Sequence, residues 1–282
     1  MMKKVLLFLA VSAISFNGKA QIQTPQPSPS AKIEQKVGLT DVTLEYSRPG
    51  VRGREVFGDL VPYGKVWRTG ANENTKITFS DDIVIDGKDL PAGTYAIYTI
   101  PKQNEWEVMF YNKTDNWGLP QEWDENEVAL KTTVEAQTMP INMETFTIMI
   151  DELQNDSAAL NFIWDDTVAI LKFEVPTDKK ATTSIEQVMS GEPGPNDYFA
   201  AASYYHDAGK DLEQAYEWIQ KATEGEEVAF WVWRRKSLIE ADMGKKEAAV
   251  ESAQKSLAAA EKAGNADYAK MNKDSLEEWG AM

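Results

Sequence analysis

Apolar and polar residues alternate along the first two thirds of the chain, and this pattern is typical of half-buried β-strands. The candidate strands are residues 42–46, 76–80, 83–85, 94–100, 106–110, 127–136, 145–151, 158–164 and 168–175. Asp86-Gly87 is a strong turn dipeptide between two of the short apolar runs. Because no long helix separates about nine strands, we predict an antiparallel β-sandwich over residues 31–176.

The pattern changes to helical spacing in the last third of the chain. Residues 177–196 contain Pro and Gly and predict a linker with a short helix near 184–189. Residues 215–222 align with residues 249–256 at an offset of 34, which is the tetratricopeptide period. We therefore predict a short tetratricopeptide-like helical region over residues 197–282. Two repeats are few for independent stability, so we expect this region to dock on the β module.

The N-terminus has the pattern of a secretory signal peptide. Lys3 and Lys4 precede an apolar run, and small residues follow at 18–20. Residues 1–20 are therefore predicted to be a signal peptide, and the Pro-, Gln- and Ser-rich residues 21–30 a flexible leader. The alternative is an amphipathic or buried N-terminal helix. Export would place the mature chain in the periplasm or outside the cell, and no later stretch is long enough for a membrane span of ~20 residues.

Charge and residue types exclude several classes of function. Without residues 1–20, the 29 basic residues lose three lysines, and 26 bases face 45 acids, a net charge of −19. A chain this acidic is repelled by nucleic acid and by anionic membranes. The sequence has no Cys and one His, which excludes a Cys nucleophile, a thiolate zinc site and a two-His metal site within one chain. We expect no cofactor and no metal.

Arginine is concentrated in one stretch of this acidic chain. Four of the six arginines lie within residues 48–68, which are also rich in Gly and Pro. Long ordered loops on a β scaffold often carry binding groups, and Arg suits a bidentate grip on an anion. The candidate ligand-binding residues are Arg48, Arg52, Arg54, Tyr63, Trp67, Arg68, Asn72 and Glu73. They predict a site for an anionic or glycan ligand.

Other interpretations of these residues stay open. The arginines could pair with the many carboxylates and only hold the loop, as in a structural scaffold. Glu45, Asp59 and Glu73 lie near the loop and could serve a hydrolase of a polysaccharide or ester. Residues 115–118, which include Trp117, and Trp123 form an aromatic-rich loop that could contact sugars or cap the core. His206 is interpreted as structural.

The binding interpretation is preferred over the enzymatic one. We expect an exported, non-enzymatic binding protein of the cell envelope, with a ligand at the Arg-rich loop. The helical region would offer a concave surface to a protein or peptide.

Several strings in the β region carry a family resemblance. YSRPG at 46–50, LVPYG at 60–64, VWRTGANE at 66–73 and LPAGTY at 90–95 resemble the secreted bacterial family known as domain of unknown function 2911. The resemblance covers residues 28–175. It implies an exported β-rich module, often followed by helical repeats, and implies no activity or catalytic residues.

Overall fold

The computed structural model describes residues 24–281. The predicted signal peptide, residues 1–20, lies outside the described residues, as does the first part of the predicted leader. Within residues 24–281, the helices are all too short or too polar to cross a membrane.

The N-terminal part is an antiparallel sheet of nine strands. They are β1 (Ser30–Val37), β2 (Thr40–Ser47), β3 (Thr75–Phe79), β4 (Ile83–Ile85), β5 (Lys88–Leu90), β6 (Gly93–Pro101), β7 (Glu105–Tyr111), β8 (Val128–Asp151) and β9 (Ser157–Glu174). Their order in the sheet is β1-β2-β3-β6-β7-β8-β9-β4-β5.

The long strand β8 joins two layers of this sheet. Its first part, up to Glu135, pairs with β7, and its second part, from Ala136, pairs with β9. The register shifts between Thr138 and Thr147, and such irregularities bend a strand. Pro140, which has no N–H to donate, lies in this irregular segment. The sequence pattern predicts two separate strands here, residues 127–136 and 145–151, with a break between them. The structure shows one continuous strand that bends at this point.

A single apolar core fills the space between the two layers. Leu44, Ile77 and Phe110 from the first layer and Ile148 and Phe162 from the second belong to one buried cluster. The residues between these positions on the same strands point to the opposite, outer face of the sheet, because successive side chains of a β-strand alternate between its two faces. The predicted β-sandwich is therefore confirmed as a β module built from one folded antiparallel sheet.

The outer face of β6 and β7 is also buried. A second small cluster there contains Ala96, Tyr98, Met109 and Tyr111. Two long connections cover this cluster. Residues 48–74, here called the arginine loop, pack Val66 against it. Residues 112–127, here called the tryptophan loop, pack Trp123 against it. Both loops are thus parts of the folded module.

The C-terminal part contains six helices. They are α1 (Thr177–Met189), α2 (Pro195–Asp207), α3 (Leu212–Ala222), α4 (Phe230–Asp242), α5 (Lys246–Lys262) and α6 (Ala266–Glu278). Helices α2 and α3 pack as one pair, α4 and α5 as the next, and α6 packs on α5. This arrangement confirms the predicted tetratricopeptide-like region and its covering last helix.

Buried polar bonds help to join the last three helices. The amide of Asn272 on α6 donates to the hydroxyl of Ser256 on α5 at 2.8 Å. That hydroxyl in turn donates to the carbonyl of Phe230 on α4 at 2.7 Å. Asn272 and Ser256 are fully buried, so these bonds satisfy the Asn272 amide N–H and the Ser256 hydroxyl, whereas the side-chain oxygen of Asn272 has no partner within residues 24–281.

Helix α1 occupies most of the segment 177–196 that the sequence predicted as a linker. The helix begins at Thr177, well before the short helix expected near 184–189. Thr177 is its only buried residue, so it has no buried apolar stripe of the kind that reveals a core helix in a sequence. The segments it connects stabilise it instead.

Helix α1 connects the two modules through polar contacts. The ammonium group of Lys180 donates to Asp81, which follows β3, at 2.7 Å and to the carbonyl of Leu39 at 2.7 Å. On the other side, the carboxylate of Asp178 accepts from Tyr204 at 2.8 Å and pairs with Lys210 at 2.7 Å. The helical module therefore docks on the β module through α1.

The Asp81–Lys180 contact makes stability depend on pH. Burial would raise the pKa of Asp81, but hydrogen bonds from Lys180, Ser80 and Thr40 together outweigh it and lower that pKa. A lowered folded-state pKa adds stability above the ordinary aspartate pKa of about 4, and this stability is lost as pH falls through the folded value. We expect the thermal midpoint of Asp81→Asn to decrease less than that of the parent protein as the pH falls below about 4.

Thermal unfolding at several pH values checks this expectation. Asp89→Asn is the matched control, because Asp89 is exposed and has no ion pair within residues 24–281. The expectation fails if Asp81→Asn retains the full pH dependence of the parent protein.

Candidate functional site

The start of the arginine loop is fixed to β8. The N–H of Phe146 donates to the carbonyl of Pro49 at 2.8 Å, and the N–H of Val51 donates to the carbonyl of Glu144 at 2.7 Å. These bonds continue the sheet pairing into the loop, since Gly50 and Thr145 form an isolated bridge. The first residues of the loop are therefore positioned by the second layer of the sandwich.

The middle of the loop is held by Trp67. Its backbone pairs with Thr99 on β6 through bonds of 2.7 and 2.9 Å. Its indole ring stacks on Trp164 with centroids 5.7 Å apart, and it contacts Phe146 at 5.0 Å and Trp106 at 6.1 Å. Trp67, predicted as a ligand contact, is thus mainly an anchor of the loop in the core.

All four loop arginines donate to backbone carbonyls. Arg48 donates to the carbonyl of Phe146 at 3.0 Å and to the hydroxyl of Thr147 at 2.6 Å. Arg54 donates to the carbonyls of Val51 and Gly50 at 3.0 and 2.6 Å.

Arg52 reaches the N-terminal segment. Its guanidinium donates to the carbonyl of Pro27, and its backbone N–H donates to the carboxylate of Glu144 at 2.9 Å. Among residues 24–281, the only arginine in an ion pair is Arg235, on α4. The expected pairing of loop arginines with carboxylates is therefore absent from the described part of the chain, although these three arginines do hold the loop.

Arg68 differs from the other three because it lines a cleft. Its guanidinium makes one hydrogen bond, to the carbonyl of Asn72 at 3.3 Å, and lies against Gly118 of the tryptophan loop. The cleft has a volume of about 350 Å³ and is lined by Leu60, Val61, Pro62, Lys65, Val66, Trp67, Arg68 and Leu119. Lys65 and Arg68 are the only charged residues in this lining.

Asn72 and Glu73 line a different cavity, here called the polar groove. It has a volume of about 470 Å³ and lies over β1, β2 and β3. The amide of Asn72 donates to the carbonyl of Ser28 at 3.1 Å, so the end of the loop also holds the N-terminal segment. The carboxylate of Glu73 pairs with Lys76 at 3.4 Å.

The structure therefore does not gather the eight predicted residues into one pocket. Trp67 and Arg68 line the cleft, Asn72 and Glu73 line the groove, and the other four line neither. Tyr63 is exposed, with its ring over Gly58. The sequence did not single out Leu60, Pro62 and Leu119 of the cleft. Nothing in the local sequence predicts that the arginine and tryptophan loops meet.

His206 is held in a polar network of the helical module. Its Nδ1 accepts from the guanidinium of Arg235 at 2.7 Å, since arginine can only donate. The Nε2 atom therefore carries the ring proton and donates to the carboxylate of Asp242, with an Nε2–Oδ2 distance of 2.7 Å. Arg235 also pairs with Asp207 at 2.5 Å. The histidine joins α2 to α4, as expected of a structural residue.

Comparison with known proteins gives a family but no activity. A family model described as protein of unknown function (DUF2911) matches residues 28–173, just over half of the chain. The chain belongs to the DUF2911 family. The resemblance in the sequence strings is thereby confirmed. No curated protein and no solved structure matches the chain.

The DUF2911 match covers the whole lining of the cleft and all of the polar groove's lining except Gln26. It begins at Ser28, which lines the polar groove, and ends at Phe173 in β9. The helical module lies outside the match, and its proposed role as a protein- or peptide-binding surface stays a prediction.

Proposed function

We propose that this protein is an exported, non-enzymatic binding protein of the cell envelope, and that its cleft binds a ligand with an anionic group on an apolar body. The observation that carries the proposal is the pair of cations in the cleft. Lys65 and Arg68 form no ion pair within residues 24–281. In a protein with 45 acidic residues, two cations without carboxylate partners suit an external anion.

The walls of the cleft favour an apolar ligand body. Leu60, Pro62 and Leu119 are exposed at its rim, and Val66 lies deeper. Exposed apolar side chains grouped around a concavity are typical of binding sites. A volume of about 350 Å³ falls at the small end of the usual range for small-molecule sites, about 300–1,000 Å³. A short-chain or medium-chain carboxylate meets both requirements.

The residues lining the cleft favour binding over hydrolysis. They include no Asp, Glu, Ser or His, so neither the carboxylate pair of a glycosidase nor a Ser–His pair is present in this lining. Glu45 and Glu73, considered for a hydrolase, line the polar groove instead.

The localisation part of the proposal is supported by the signal-peptide pattern of residues 1–20.

Arg68→Ala is expected to weaken binding of decanoate by about 10- to 100-fold, the effect of losing hydrogen bonds to a charged group. Arg54→Ala is the matched control, because Arg54 lies in the same loop, is bonded to two carbonyls and does not line the cleft. Isothermal titration calorimetry measures both affinities. A titration with decanol, which has the same chain length but no carboxylate, tests whether the charged group is required for binding.

Two results would contradict the proposal. One is the absence of saturable decanoate binding by the parent protein. The other is an equal loss in Arg54→Ala and Arg68→Ala, which would assign the effect to the loop as a whole. Thermal midpoints of the variants show whether each one is folded, since Arg68 also bonds the carbonyl of Asn72.

A further inference from the structure

The polar groove lies on the part of the outer sheet face that the two loops leave open. Lys32 on β1 is the register partner of Glu45 on β2, which is the partner of Lys76 on β3. These residues alternate with the buried Tyr46 and Ile77, so they project from the outer face. They form a row of charges across three strands at the floor of the groove.

The charges of the groove are balanced. Its lining contains the cations Lys32 and Lys76 and the anions Glu45 and Glu73, together with Ser and Asn side chains. Cations and anions are equal in number, in contrast with the cleft, where both charges are positive. Balanced charges and many hydrogen-bonding groups favour a neutral, polar ligand over an anion.

One wall of the groove is an exposed tryptophan. Trp117 in the tryptophan loop is 72% exposed and lines the groove. A large aromatic ring with a free face beside polar groups is unusual on a protein surface and is a feature of interaction sites. Such a ring can pack against the C–H face of a sugar while the polar groups bind its hydroxyls.

The backbone on both sides of Trp117 is fixed, although its side chain is exposed. The carbonyl of Asn116 accepts from the N–H of Asn74 at 3.3 Å, and the carbonyl of Gly118 accepts from the hydroxyl of Tyr98 at 3.1 Å. Gly118 has φ +93 and lies against Arg68. The ring is therefore presented from an ordered turn, which reduces the entropy lost when a ligand binds.

Polar atoms next to the groove have unused hydrogen-bonding capacity. Asn74 lines the groove and is only 2% exposed, and its side-chain oxygen has no partner within the described residues. The side-chain nitrogen of neighbouring Asn116 is likewise buried without a partner there. Native proteins leave few buried polar atoms unsatisfied, and a bound polar ligand is one explanation.

We propose that the polar groove is a binding site for a neutral oligosaccharide. Trp117 is the stacking platform for one pyranose ring. The side chains of Asn74, Glu45 and Lys76 bind the hydroxyl groups of the sugars. This site is separate from the cleft at Arg68 and does not depend on the ligand proposed there.

Trp117→Ala tests the proposal, with Trp231→Ala as the matched control. Trp231 lies on α4, is 45% exposed and does not line the groove. Calorimetric titrations use four neutral hexasaccharides: those of maltose, cellulose, xylan and chitin type. We expect millimolar or tighter binding of at least one, a loss of at least about 10-fold in Trp117→Ala, and no change in Trp231→Ala.

The proposal is overturned if none of the four sugars binds at millimolar concentration. It is also overturned if Trp117→Ala binds as tightly as the parent protein. Glu45→Gln is a second variant that keeps the size of the side chain and one acceptor oxygen, and it should weaken binding less than Trp117→Ala. Equal thermal midpoints of parent and variants confirm that a loss of binding is local to the groove.

Discussion

Replacing Trp67 with alanine should lower the free energy of unfolding by about 3–5 kcal/mol, the usual cost of removing a packed aromatic side chain. The indole contacts Trp164, Phe146, Trp106 and Phe57, so its loss opens a cavity where the arginine loop enters the core. Urea unfolding followed by circular dichroism measures the change.

The Trp117→Ala variant is the control for this prediction. It removes the same side chain from an exposed position, so its stability should lie within about 0.5 kcal/mol of the parent protein. A loss below about 1 kcal/mol in Trp67→Ala would contradict the interpretation of Trp67 as the anchor of the loop.

Gly38→Ala should separate α1 from the β module. Gly38 lies in the turn between β1 and β2 with φ +54, and an added Cβ would collide with the hydroxyl of Thr177 and the backbone carbonyl of Asn155. A backbone atom cannot move aside cheaply, so the substitution combines a strained backbone with overpacking. We expect a loss of about 2–4 kcal/mol in stability.

Gly87→Ala is the matched control for Gly38→Ala. Gly87 also lies in a hairpin turn, with φ +69, but an added Cβ would meet no atom within 4 Å. It should therefore cost only about 1 kcal/mol. Limited proteolysis should cleave Gly38→Ala faster than Gly87→Ala within residues 176–194. Equal cleavage would show that the Gly38–Thr177 contact does not dock α1.

The fold could largely be predicted from local patterns. Strands such as β2 and β3 alternate buried and more exposed positions, and the 34-residue repeat of the helices is visible in the residues themselves. Helix α1 was mostly missed because polar contacts in its first turn, including those of Asp178 and Lys180, stabilise it in place of a buried apolar stripe. Strand β1 was missed because it is an edge strand with both faces partly exposed.

The candidate site was harder to predict because its partners are distant in the sequence. Composition suggested carboxylate partners for the arginines, whereas Arg48 and Arg54 bind backbone carbonyls, whose positions composition does not reveal. The cleft needs Leu119 and the groove needs Trp117, both from another connection. Only the folded sheet brings these residues next to Arg68 and Asn72.

Binding of decanoate in the cleft is best tested by a two-dimensional ¹H–¹⁵N titration of residues 21–282. We predict saturable shifts that are largest at the amides of Lys65, Val66, Arg68 and Leu119, with the helical module unchanged. If no amide shifts saturably, or if the largest shifts lie outside the cleft, decanoate does not bind at Arg68.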